Sequence, residues 1–149
     1  MPRRYTIGGQ DTNTAGTTML GLTSTAAIRP AIYDLIIGSV ATPADNAAEY
    51  FLQRYTAAGT ATAVTPQAID SGDPAATATA GVNHSVEPTY TANAIMMRVA
   101  KNQRATFRWV AREGCEIILP ATAANGVGVL ANAIGGSAVT EDFQLWYVE

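Results

Sequence analysis

Residues 59–81 read GTATAVTPQAIDSGDPAATATAG, and the fold turns on whether this stretch is a linker or part of a domain. Ala, Thr, Gly and Pro dominate it. Its only charged residues are Asp70 and Asp73. As a linker it needs a second domain behind it, but the residues after Gly81 are short Ala- and Thr-rich strand signals with no core of their own. Thr60, Thr62 and Val64 favour strand over coil. Pro66, Gly72 and Pro74 set turns. The reading is therefore a strand followed by a long ordered loop, 65–81, within one domain spanning 1–149. Loops of that length in compact domains tend to be functional, so this one is expected to lie against a neighbouring subunit.

The rest of the chain agrees with one body. A domain of 149 residues buries about 70% of its unfolded surface and folds without disulfide or metal. Hydrophobic residues make up 48% of it. Charged residues make up only 14%, against about 25% in ordinary soluble domains. Ala and Thr fill the difference. A surface so poor in charge suits a protein that packs beside copies of itself or a partner. Net charge is −3, Lys101 is the sole lysine, and the arginines are scattered apart from Arg3–Arg4. That argues against a nucleic-acid partner held through its phosphates. No apolar run is long enough to span a membrane, and "MPRRYTIGGQ" has no apolar signal-peptide core. Synthesis in a cytoplasm is expected.

Short runs of β-branched and aromatic residues bounded by Gly, Pro, Asn and Asp recur throughout. They are RRYTI (3–7), AGTTMLGL (15–22), AIRPAIYDLIIGS (27–39), TATAV (60–64), NAIMMRVA (93–100), RATFRWVA (104–111), CEIILP (115–120), GVGVLANAI (126–134) and DFQLWYVE (142–149). TATAV reads as the return arm of a hairpin, and 93–100 with 104–111 as two strands around the turn KNQ. In 40–59, Thr42, Pro43 and Asp45 resemble a helix start, so one short helical turn near 43–48 is expected to lead into a strand over 49–56. The terminal run carries Phe143, Leu145, Trp146 and Tyr147 and is expected to pair inside a sheet. Eight or nine strands with at most one helical turn give an all-β, single-domain sandwich, jelly-roll-like, in which each sheet covers the other.

Residues that carry chemistry are sparse. The single His84 and single Cys115 are far apart in sequence. His84 reads as a loop histidine and Cys115 as a small, partly buried strand residue. Glu113 with Glu116, and Glu141 with Asp142, read as solvated turn charges. GVGVLANAIGG lacks the ending of a phosphate loop. Asp11, Asn13, Asp70 and Asp73 form a calcium site only if loops join them. In RATFRWVAREG, Arg104, Arg108 and Arg112 interleave with Phe107 and Trp109; the reading is aromatics inward, arginines outward. No catalytic, cofactor or metal residues are assigned. Arg3 and Arg4 are a candidate N-terminal arm (1–4). With Pro66, Asp70, Asp73 and Pro74 of the long loop they form the candidate partner-binding set.

Six segments, IRPAIYDLIIGSVATPADNA, QRYTAAGTATAVTPQAID, DPAATATAG, EPTYTANA, NQRATFRW and LPATAANGVGV, carry a likeness that runs through most of the chain. Together they resemble the small head structural proteins of tailed bacteriophages, the capsid decoration or cement proteins. The likeness is weakest at GGSAVTEDFQLWYVE. It implies a β-rich, often jelly-roll-like fold and no enzyme activity or cofactor. It also implies trimers seated on the capsid exterior and the major capsid protein as partner, with no membrane or small-molecule substrate. The alternative reading is a tail, fibre-base or glycan-binding β-sandwich module.

Overall fold

The computed structural model describes residues 2–149. Twelve strands follow one another: β1 (Arg4–Thr12), β2 (Thr18–Thr23), β3 (Ala31–Ser39), β4 (Ala47–Ala57), β5 (Thr60–Val64), β6 (Gln67–Ala68), β7 (Thr79–Val86), β8 (Thr89–Asn102), β9 (Phe107–Val110), β10 (Ile117–Ile118), β11 (Gly126–Ile134) and β12 (Thr140–Val148). The first sheet runs β10-β3-β12-β1-β6, with β9 also paired to β3. The second runs β5-β7-β2-β11-β4-β8. Every pairing is antiparallel.

The pairings nest. β1 pairs β12, β2 pairs β11, β3 pairs β9 and β10, and β4 pairs β8. Successive nested pairs fall alternately in the first and second sheet, which is the rolled-up hairpin of a jelly roll. β5, β6 and β7 lie within the β4–β8 connection and stand outside this scheme. β6 joins the first sheet beside β1, and β7 with β5 extends the second beside β2. The stretch 59–81 therefore adds strands to both sheets along one side of the sandwich. Its irregular part is shorter than the sequence suggests, 69–78, because Gln67–Ala68 pair with Thr6 and Tyr5 and Thr79 already belongs to β7. β5 is no return arm of β4; the two lie toward opposite edges of the second sheet.

Strand alternation fills the core. Tyr5, Ile7, Ile32, Leu35, Ile37, Phe143, Leu145 and Tyr147 come from the first sheet. Leu20, Leu22, Ala48, Tyr50, Leu52, Val127 and Val129 come from the second. Tyr5 stacks on Tyr147 at 5.6 Å, and Tyr50 meets Phe143 edge-on at 5.9 Å. β12, at the C-terminus of the chain, lies between β3 and β1 inside the first sheet.

Three local expectations change. No helical turn forms at 43–48. Gln103 takes the backbone groups a helix would use: its Oε1 accepts from Ala44 N at 3.2 Å, and its N donates to Asn46 O at 2.8 Å. The strand then begins at Ala47, and Phe51 and Tyr55 point away from the core face that Ala48 and Leu52 share. Second, 93–100 and 104–111 are no hairpin, since β8 pairs β4 while β9 crosses to β3 in the other sheet. Third, His84 sits within β7 rather than in a turn, its Nδ1 3.1 Å from Thr18 O.

The glycines of GVGVL have a packing reason. Gly126 and Gly128 face outward on β11, opposite Tyr55 and Gln53 of β4. A Cβ on Gly126 would overlap the Tyr55 ring and Leu22 O, and one on Gly128 would overlap Tyr90 Oη. Tyr55 and Tyr90 lie along this glycine lane edge to face at 6.0 Å. Their hydroxyls pair with Thr23 Oγ1 and Thr18 Oγ1, each at 2.7 Å. Burial raises both phenols, Tyr55 to about 12.

Candidate functional site

Four of the six candidate partner-binding residues, Arg3, Arg4, Asp70 and Asp73, meet at one corner. Backbone pairing ties the N-terminal residues to the end of the chain: Arg3 N donates to Glu149 O at 3.1 Å, and Glu149 N to Arg3 O at 2.9 Å. Arg4 opens β1, and its carbonyl accepts from Ile69 N at 2.9 Å. Residues 3–4 are thus part of the sheet edge rather than a free arm; Met1 lies outside the described residues. Their side chains remain exposed.

The 69–78 loop is held against this edge. Asp70 caps its own turn, its Oδ1 accepting from Gly72 N at 2.9 Å and its carbonyl from Asp73 N at 3.0 Å. Tyr5 Oη donates to Pro74 O at 3.1 Å. The Glu149 carboxylate accepts from Thr77 N at 3.0 Å and Ala78 N at 2.8 Å. Burial and then the Glu149 charge raise Tyr5 above the usual phenol range. Arg3 Nε stands 3.8 Å from Asp73 Oδ1, an exposed pair of small energetic weight. Arg3, Arg4, Asp70 and Asp73 line one open depression with Ile69, which is 53% exposed. Pro66 sits apart between β5 and β6 and does not line it. Pro74 contributes only its carbonyl.

Glu149 is the residue the sequence did not single out here. Its signal was an acid directly after an apolar strand, and it faces a loop whose N–H groups need acceptors.

At the opposite end of the sandwich lies a buried polar cluster. Glu141 is fully buried and Lys101 nearly so, with Lys101 Nζ 2.6 Å from Glu141 Oε1. Ser39 Oγ donates to the same oxygen at 2.8 Å, and Tyr50 Oη donates to Oε2. Asn13 Nδ2 donates to Tyr50 Oη at 2.8 Å, while its Oδ1 accepts from Val139 N at 2.7 Å. Lys101 also donates to Ala105 O at 3.1 Å. Glu141 is therefore no solvated turn charge. The alternation of β12 turns it inward with Phe143, where it joins the two sheets. Each member is satisfied by another, so the cluster works as a cross-sheet clamp.

The remaining candidates stay separate. Cys115 is exposed in the turn between β9 and β10, not partly buried in a strand. It is on the β3 side of the first sheet, whereas His84 is on β7 of the second. Asp11 caps Thr12 N at 2.7 Å and Asn13 is in the buried cluster, so neither joins Asp70 or Asp73. Among the described residues, no three His, Cys, Asp or Glu side chains are grouped to hold a metal, and no helix is long and apolar enough to cross a membrane. Phe107 and Trp109 pack against the core, while Arg108 turns outward to a bidentate pair with Asp34. Comparison of the chain with family models, with curated proteins and with solved structures gave no match.

Proposed function

We propose that the protein is a non-enzymatic virion structural protein, a decoration or cement protein that seats on the outer surface of a tailed-phage head and stabilises its major capsid protein lattice. The observation that supports this most is the corner where Arg3, Arg4, Ile69, Asp70 and Asp73 converge. The jelly roll supplies a stiff body, and the insert between β4 and β8 supplies a shaped edge beside the chain termini. Hydrogen bonds accepted by Glu149 and the Arg4 carbonyl and donated by Tyr5 hold that edge in place, so docking carries little ordering cost. The two arginines stand out on a protein of net charge −3 and suit an acidic partner surface. The low overall charge lowers the desolvation cost of lying flat on a lattice. A trimer would make its later contacts intramolecular, so that modest single contacts sum to firm holding.

Charge reversal at the corner tests this. Arg3→Glu/Arg4→Glu should fold like the parent, because both side chains are exposed. Co-sedimentation with undecorated heads should show binding weaker by about tenfold or more, equivalent to about 1.4 kcal/mol, and more sensitive to salt. Undiminished binding would remove the corner from the interface.

A further inference from the structure

The geometry points to a second site on the outer face of the first sheet, a shallow trough that takes an uncharged oligosaccharide. This inference is independent of the docking reading above and uses none of its residues. By register, three rows of side chains cross β1, β12 and β3 on this face. Thr6, Trp146 and Asp34 form one row; Gly8, Gln144 and Ile36 the next; Gln10, Asp142 and Gly38 the third. Gly38 leaves the floor open, the Gln144 amide lies over Gly8, and Gln10, Asp142 and Ile36 wall the trough.

The chemistry around the trough suits a sugar. Leu145 and Tyr147 point into the core, so Trp146 between them presents its indole outward, half-buried. Its place one row from Gln144, about 7 Å along the strand, lets a sugar ring stack on the indole while the next unit reaches the amide. Gln10 Nε2 donates to Asp142 Oδ1 at 2.9 Å, and Gln144 Nε2 donates to Thr6 Oγ1. These pairs leave the Gln10 amide oxygen and the second Asp142 carboxylate oxygen open to hydroxyl donors. Beside Trp146, the Asp34 carboxylate is 8% exposed and holds the Arg108 guanidinium through Nε at 3.1 Å and Nη2 at 2.6 Å. Arg108 itself is 58% exposed, so a planar donor is fixed at the rim with its charge cancelled. With Arg108 and Asp34 neutralising one another and Asp142 the remaining charge of these three rows, the trough favours an uncharged polar ligand over an anionic one, Arg4 lying one row beyond Thr6. Tyr5 is buried in the core and Tyr90 is bonded to Thr18, whereas Trp146 stands in the row next to the trough.

The test is titration of the isotope-labelled chain with cellohexaose, maltohexaose and chitohexaose, read by backbone amide shifts. At least one should bind in the millimolar range, moving amides of β1, β12 and β3 around Gly8, Gly38 and Gln144. Trp146→Ala should weaken that binding by about tenfold or more. Gly38→Val fills the trough at little cost to folding, since its new Cβ meets its nearest neighbour, Thr106 Oγ1, at 3.4 Å. It should abolish binding with an unchanged melting temperature. Silence with all three sugars up to their solubility limits, shifts confined to other faces, or binding indifferent to both variants would overturn the site. A hexaglutamate peptide binding this face while the sugars stay silent would overturn it in favour of a protein-docking face.

Discussion

Glu141→Ala is expected to cost about 3–5 kcal/mol, a large share of the stability of a single domain. The side chain is fully buried and both oxygens are engaged, by Lys101 and Ser39 on one and Tyr50 on the other. Removing it leaves the Lys101 ammonium buried with only Ala105 O to receive it. Lys101→Met should fall in the same range, because it strands the carboxylate with two neutral donors. Lys101→Met/Glu141→Leu should recover part of the loss, since an apolar pair of similar volume avoids both desolvation terms. Urea denaturation of the three variants measures this. Single variants within about 1 kcal/mol of the parent would show the pair to be solvated, and the clamp between the sheets would not exist.

Gly126→Val carries the second large effect, about 3 kcal/mol or more, or a fall in melting temperature of roughly 6–12 °C. Valine suits a central strand by propensity, and for that reason the variant is informative. The side chain would strike both the Tyr55 ring and Leu22 O, and a backbone carbonyl within a ladder cannot move aside as a flexible side-chain tip can. Gly38→Val, also in a central strand of the sandwich, supplies the contrast, because its Cβ meets only ordinary contact distance. Equal stability of the two variants would contradict the glycine lane.

These two features also mark how far the sequence could be read. Alternation in DFQLWYVE and the apolar run AIYDLIIGS placed β12 and β3 correctly, because period-two patterning directly reports which face is buried. The same alternation turns Glu141 inward, yet a charged residue beside a turn reads as solvated until its partner is known. That partner, Lys101, is 40 positions away on the other sheet. GVGVLANAI reads as a strand, but why it needs glycine at 126 and 128 is not legible, for a similar reason. Their cause lies in Tyr55 and Tyr90, brought together only by the β4–β11 and β4–β8 pairings. The helical turn at 43–48 failed because Gln103, a distant side chain, outcompetes the local cap.

For the candidate partner-binding residues, what brings them together was not legible in the sequence. Arg3, Arg4, Asp70 and Asp73 do meet, but through pairing of both termini with each other and with Ile69, which no local motif announces. In the 59–81 stretch, the strand over 60–64 was legible from its Thr and Val positions. The division of the stretch between two sheets was not, since Gln67–Ala68 offers only two residues to read.

The central claim, that the protein holds a phage capsid lattice together, is tested most directly by heat. On this proposal, heads of a tailed phage whose genome carries the gene would be purified without the protein, then heated with and without saturating amounts of it, and DNA release followed. The account predicts release at a distinctly higher temperature for decorated heads, with Arg3→Glu/Arg4→Glu losing that protection. Identical release temperatures at demonstrated saturation would contradict it.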